Sequence, residues 1–378
     1  MNRASVAGAT APIGEQRLVI VLPSLHDPRL RLSAVIITLQ ILGQAVLNFK
    51  VSVAQILVSI GVAAVIEVGV SWRRAHILAW PASAILTGNS VAFILRASGT
   101  RHGDWWTLHG VQYFVIAVVL SLLSKYLIRV RGCHVFNPSN LGLVWTLLVI
   151  GPVHVFPQYL WWGPLGLPLT LALIVILAGA VWVLTSVRMT IMALAFLIPF
   201  AALVGLFAVA GQSFLAIWHS GPVSGSSYWR DICLSPEVLI FVFFMMSDPK
   251  TAPRGTRAQL AFGAGTAVLA AGLLLLQPTE FGIKVAILAS LTVTCALRPL
   301  VDGVAEFVAP RDAAPASALR GRMPRARSLA AWSARGLRVP AVLAAMIIAI
   351  AAPADTIALR GDTQISYIEQ GLTGRNPQ

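Results

Sequence analysis

Charge is what this chain has least of. Only 11% of its 378 residues are Asp, Glu, Lys or Arg, where a soluble protein carries about a quarter. No normally charged polar stretch is long enough for a separate soluble domain. Cysteine is equally scarce. Cys133, Cys233 and Cys295 stand apart, without CxxC or metal-ligand spacing, which predicts no disulfide framework. A catalytic triad, a metal constellation and a phosphate-cradling glycine loop are also missing, so nothing points to an independent soluble-type enzyme. Gly263 and Gly265 lie inside an apolar span, where such a pair reads as helix packing. The N-terminal tail lacks a long apolar core followed by a small-residue cleavage site. A removed signal peptide is therefore not expected, and the first span serves as the targeting signal.

What the chain has is apolar length: 57% of its residues are hydrophobic. Its runs reach the roughly 17–25 residues that cross a bilayer as helix. Spans are expected near 33–49, 52–71, 77–95, 107–129, 139–156, 166–186, 190–211, 235–247, 258–277, 281–297 and 337–358. The expected fold is thus an all-α polytopic membrane protein with ten or eleven transmembrane helices. Residues 1–32 read as a polar cytoplasmic tail and 33–302 as the membrane core. Residues 303–336 read as an arginine-rich cytoplasmic loop, 337–358 as an additional span and 359–378 as a C-terminal tail.

The formal charge of +14 follows this topology. With the N-terminus inside, only Lys50, Arg96, Arg101, Arg230, Lys284, Arg360 and Arg375 of the 28 basic residues fall outside or near that face. The other 21 are cytoplasmic, which is the positive-inside rule repeated loop after loop. The basic charge therefore needs no nucleic-acid partner; the partner it implies is the lipid bilayer. The expected location is the plasma or inner cell membrane, with the N-terminus cytoplasmic and the C-terminus extracytoplasmic. Eleven tryptophans, Trp105–Trp106 and Trp161–Trp162 among them, fit an interfacial aromatic belt. The arginine cluster Arg320, Arg322, Arg325, Arg327 and Arg335 serves as a topology anchor or as a contact for anionic lipid.

Two spans are short, and they lie five spans apart. The third carries Pro81 and Thr87–Asn89; the eighth begins at Pro236 and stops at Asp248. Short or interrupted spans at matching positions of two halves point to an inverted repeat with a site between the halves. An odd offset of five gives the copies opposite orientation.

Three polar strings are candidates for that site: TGN at Thr87–Asn89, NPSN at Asn137–Asn140, and Ser247–Pro253, which reads SDPKTAP. Asn or Asp before proline also favours turns and helix starts. Asn137 as a helix cap, and Asp248 or Thr251 as organisers of a turn, are the simpler readings. An acid at membrane depth is costly and is tolerated where protein or a polar cavity surrounds it. Lys250, Arg254 and Arg257 beside Asp248 would make a charge-balanced, anion-receptive mouth. Glu67 either reaches the inner interface or serves a proton relay. Paired membrane histidines can ligate haem, but no two expected spans carry histidines deep in the core, so interfacial packing is expected for them.

At these strings the chain resembles the RnfD and NqrB family of membrane subunits, over roughly residues 77–302. The resemblance rests on SA-x-x-TG at Ser83–Gly88, FNP-x-x-x-G at Phe136–Gly142 and F-M-x-[ST]-D-P-x-T-[SA]-P at Phe244–Pro253. ALRPLVD at Ala296–Asp302 is similar to the end of the family's tenth span. The resemblance implies a ten-span core of inverted five-helix repeats. It also implies flavin-linked electron transfer coupled to ion movement, within a multisubunit complex. Carried over by motif, Thr87, Gly88, Asn137, Pro138, Ser247, Asp248, Pro249 and Thr251 become flavin or cavity neighbours.

The family's S-G-A-T motif, whose threonine carries FMN through a phosphoester, has no counterpart in the loop at 151–165. SGSS at Ser224–Ser227 reads as a flexible outer loop. Covalent FMN is therefore not expected; the implied flavin, FMN or riboflavin, is noncovalent. The missing threonine and the eleventh span mark a divergent branch, similar to the UnbU-like proteins of enediyne biosynthesis clusters. The expected partners are other membrane electron-transport or biosynthetic subunits. Two alternatives stand beside electron transfer: a non-redox transporter or channel using the same cavity, or an accessory membrane protein of an enediyne-like pathway.

Overall fold

The computed structural model of the chain describes residues 10–13, 16–21, 28–130, 133–158 and 166–298. The arginine-rich loop, the eleventh span and the C-terminal tail lie outside them. The described part is mostly helical. Its first half holds α1 (Pro28–Ala45), α2 (Val53–Ala75), α3 (Ala82–Ile94), α4 (Val111–Leu127) and α5 (Pro138–Ile150). Its second half holds α6 (Leu167–Val187), α7 (Thr190–Val209), α8 (Gly225–Cys233), α9 (Pro236–Ile240), α10 (Thr256–Leu275) and α11 (Glu280–Ala296). A π-helical turn, Phe241–Met245, continues α9. Within α2, α6, α7 and α10 lie four stretches long and apolar enough to cross a membrane.

Each of the first ten expected spans holds a helix, and local chemistry trims the ends. The third span loses its start because Pro81 precedes α3, leaving Ile77–Ala79 as a strand. The fifth stops at Ile150, where Gly151 takes a positive φ of 77° and Pro152 follows. Its expected tail becomes another strand, Val155–Pro157. The tail at 1–32 is not featureless. Thr10–Ile13 and Gln16–Val21 form an antiparallel pair, the second strand lies parallel to Ile77–Ala79, and α1 already begins at Pro28. Leu95–Ala97 pairs with Val155–Pro157, tying the ends of α3 and α5 together. The hairpin Arg129–Val130 with Cys133–His134 joins α4 to α5. SGSS is not a loop either: Ser224 ends a strand and α8 begins at Gly225.

Side-chain caps set several starts. Ser52 and Gln55 form a reciprocal capping box on α2, with bonds of 3.0 and 2.8 Å. Asn137, Ser235 and Thr279 cap α5, α9 and α11. In the first half α4 packs against α2 and α5, and α1 against α3. In the second half α10 packs against α7 and α11, and α6 against α9. Between the halves α1 meets α6 and α5 meets α11. Every residue of α11 except Phe281 is buried, so this helix is the centre of the molecule.

Glycine allows the closest approaches. A Cβ on Gly263 of α10 would lie 2.5 Å from the Met192 carbonyl oxygen of α7, and one on Gly142 of α5 would lie 2.4 Å from that of Ala117 on α4. Gly265, by contrast, has nothing within 4 Å of such a Cβ. On the outside of the helices Leu57, Val65, Ile174, Val181, Ile198 and Leu206 are exposed.

Candidate functional site

The end of the bundle where α5 begins and the π turn finishes gathers two of the three polar strings. Met245 ends the π turn, whose bonds run to the fifth residue on, and Lys250 N there donates to Asp248 Oδ1 instead of the Met245 carbonyl. Asn137 Nδ2 donates to that carbonyl at 3.0 Å. Asn137 Oδ1 meanwhile accepts from Ser139 Oγ at 3.0 Å and from Asn140 N at 3.3 Å, capping α5. The cap and the cross-bundle bond are one side chain. Pro138 occupies the first turn of α5, where a missing donor costs nothing.

Asp248 organises the turn that follows. Its Oδ1 accepts from Lys250 N at 3.1 Å and its Oδ2 from Thr251 Oγ1 at 3.2 Å. His134 Nε2 lies 3.6 Å from Oδ2. Burial acts to raise the Asp248 carboxyl. The backbone N–H of Lys250, with the nearby His134 ring and Lys250 side chain, outweighs it and holds the carboxyl below its usual range. Arg298 Nη1 donates to the Thr251 carbonyl at 2.7 Å, fastening the turn to the end of α11. Ser247 Oγ bonds back to the Phe243 carbonyl, and Pro249 is exposed.

The TGN string is placed differently. Thr87 Oγ1 bonds to the Ser83 carbonyl of its own helix at 2.9 Å. A Cβ on Gly88 would lie 2.4 Å from the Ser59 carbonyl oxygen, so Gly88 seats α3 on α2. Asn89 is buried with Oδ1 unpartnered. The structure thus joins NPSN to Met245, two residues before SDPKTAP, and leaves TGN on the α2–α3 seam.

Three further polar groups lie within the bundle; Glu67 and Asn140 among them were candidates from sequence, whereas Glu237, Glu280 and Lys284 were not. Glu67 on α2 is turned into the bundle, 2.6 Å from Lys125 Nζ on α4, and also accepts from the Tyr126 hydroxyl. Ser83, of the SA-x-x-TG string, lies 3.3 Å from the same ammonium. In the middle, Asn140 Nδ2 donates to the Leu288 carbonyl and to Thr292 Oγ1, both at 2.9 Å, joining α5 to α11. At the opposite end Lys284 lies between Glu237 and Glu280, at 2.9 and 2.6 Å. A signal for these existed in sequence: each is an ionisable or amide residue inside an apolar span. Only the fold shows which of them meet.

A cleft of about 390 Å³ opens between α1 and α2, lined by Ile37, Gln40, Ile41, Gln44, Val53 and Trp105 among others. Gln40 Nε2 and Gln44 Oε1 are buried there without a partner. No group of three or more His, Cys, Asp or Glu side chains suited to a metal ion occurs among the described residues. No protein-family model and no curated protein matches this chain.

Proposed function

We propose that this chain is a multi-span membrane protein of the RnfD and NqrB kind, in which flavin-linked electron transfer is coupled to ion passage between two inverted five-helix halves. The observation that carries this reading is the matched packing of helices five spans apart. α1 lies on α6 and α5 on α11, while α4 between α2 and α5 has its counterpart in α10 between α7 and α11. An inverted repeat places its site at such an interface, near the midplane. Asn137, Asn140 and Lys284 lie along it, bonded across from one element to another. The apolar side chains on the outside of the helices support a lipid surrounding, since a soluble monomer seldom exposes so many.

The flavin implied by the resemblance does not suit the SDPKTAP end. There Asn137, Asp248 and Thr251 already direct their polar groups to the protein itself. The α1–α2 cleft suits it better. Gln40 offers a free donor and Gln44 a free acceptor one helical turn apart, matching the mixed edge of an isoalloxazine ring. Trp105 supplies an aromatic wall. Bound there, the flavin would supply one- and two-electron chemistry, and the two glutamines and Trp105 would orient it.

A second reading, a transporter without a redox group, is favoured by one observation: Asn137 and Asn140 at the start of α5 already donate to Met245, Leu288 and Thr292 with no cofactor between them. Gentle isolation in detergent, followed by an absorbance spectrum and an intact mass, separates the two. Electron transfer predicts flavin absorbance with the mass of an unmodified chain. Ion flux in proteoliposomes without flavin would favour the transporter. Neither flavin nor flux would remove both.

A further inference from the structure

The seam where the two halves meet through α1 and α6 carries a cation with no counter-charge among the described residues. Arg31, in the first turn of α1, has its guanidinium 5.7 Å from the centre of the Trp182 ring on α6. Among the described residues it makes no hydrogen bond and no ion pair. Neither α1 nor α6 carries an acidic residue that could supply one. Arg29, two positions earlier, lies round the other side of the helix, within electrostatic reach of Lys125 on α4. Trp182 is 48% exposed, so the pair sits on the outside of the bundle.

Packing holds the pair in register. A Cβ on Gly179 would lie 2.8 Å from the Val35 side chain, so the two helices touch one turn below Trp182. The indole takes the flat face of the guanidinium and leaves its N–H edge for an acceptor. That edge is a fork of donors suited to phosphate or carboxylate oxygens.

Below the pair runs an apolar lane. Ala34, Thr38 and Ile41 follow Arg31 along one exposed side of α1, and the Thr38 hydroxyl is spent on the Ala34 carbonyl. Ala178, Ile174 and Leu171 precede Trp182 along one exposed side of α6. The ten residues from Arg31 to Ile41 cover about 15 Å of helix, half of a hydrocarbon core of about 30 Å. The lane is therefore one leaflet deep. Its occupant must bring a negative charge to the interface and an apolar tail one leaflet long. An acid on a partner's transmembrane helix is costly there, whereas a phospholipid already carries its phosphate at this level.

We propose that the α1–α6 seam binds one anionic phospholipid of the cytoplasmic leaflet, with its phosphate on Arg31 beside Trp182 and an acyl chain along the lane. The lipid then ties the first half of the molecule to the second. This site is independent of flavin and of ion flux; it rests on the membrane reading, with the N-terminus inside.

Native mass spectrometry tests it, with the full chain in detergent titrated with phosphatidylglycerol or phosphatidylcholine of identical acyl chains. The wild type should retain one phosphatidylglycerol, with a preference of about fivefold or more over phosphatidylcholine. R31Q should lose that preference and W182L should reduce it. R73Q, at an exposed arginine near the end of α2, should keep it. No preference in the wild type overturns the site, as does an unchanged preference in R31Q or in W182L. Equal losses in R31Q and R73Q would overturn it in favour of diffuse attraction to the basic face. Displacement of the lipid by glycerol 3-phosphate would reassign Arg31 to a free phosphate. Where R31Q is not recovered folded, R31K serves, since it keeps the charge without the fork and must lower the preference.

Discussion

Asn137 gives its side-chain amide to the Met245 carbonyl, an acceptor at the very end of the π turn. This bond turns two strings 108 positions apart into one device. The last carbonyls of a helix have no partner within it, and Met245 is buried, where an unpaired polar group is costly. The same asparagine starts α5 by capping it. Ending one helix and starting another are therefore coupled through a single residue.

N137A removes both the cap and the donor. It should cost about 1–3 kcal/mol from the buried carbonyl left unpaired, with ~1 kcal/mol more from the lost cap. The readout is a lower thermal midpoint in detergent. N137S keeps a capping oxygen but does not carry the amide donor that reaches Met245. N137S should therefore recover only the cap's ~1 kcal/mol, and a full recovery would contradict the role of the Met245 bond.

Gly263 and Gly265 have opposite expectations although they share one helix and a two-residue spacing. G263A puts a methyl 2.5 Å from a backbone oxygen of α7, which must move away. A loss of about 1–3 kcal/mol is expected, as for overpacking elsewhere. G265A meets nothing within 4 Å. It should be neutral or stabilise the helix by up to ~1 kcal/mol. Thermal midpoints of the two variants in one detergent check this directly.

The Asp248 turn should weaken only in strong acid. Its carboxyl is held below the ordinary value, the Lys250 N–H bond and the nearby His134 and Lys250 side chains outweighing burial. A depressed folded value contributes stability that is fully present above the unfolded value of about 3.9. That stability is lost as pH falls through the folded value. The gap in thermal midpoint between wild type and D248N should therefore stay constant at and above about pH 5, and close below about pH 4. A gap that closes near neutrality would show another group in control.

Helix placement was legible in the sequence, because apolar length is a one-dimensional signal. Pro236 and Asp248 marked the short eighth span at both ends. The strand at Gln16–Val21 was not legible, since its partner Ile77–Ala79 lies far along the chain and inside an expected span. α8 was hidden by SGSS, whose small polar residues resemble a loop until Tyr228, Ile232 and Cys233 bury one face. NPSN and SDPKTAP could be picked out individually, whereas their contact depends on a carbonyl, which no sequence pattern displays. The Lys284 triad was least legible: its members come from two helices, and each alone resembles a stray interfacial charge.

The short eighth span also gives the sharpest test of the proposed orientation. α9 and its π turn run from Pro236 to Met245, about 15 Å of helix against a hydrocarbon core of about 30 Å. They can carry the chain across only if irregular backbone at both ends is surrounded by protein, as Asn137 and the Asp248 turn provide at one end. Ser226 and Arg254 are exposed on either side of this span. The proposed orientation places Ser226 outside and Arg254 in the cytoplasm. Cys233 and Cys295 are buried, and burial pushes the Cys233 thiol up to about 12, leaving it inert toward maleimides at neutral pH. In a C133S background, S226C should react with an impermeant maleimide in intact cells, and R254C only after permeabilisation. The reverse pattern would invert the orientation. Labelling of both in intact cells would mean that α9 does not carry the chain across, and the inverted-repeat reading would fall with it.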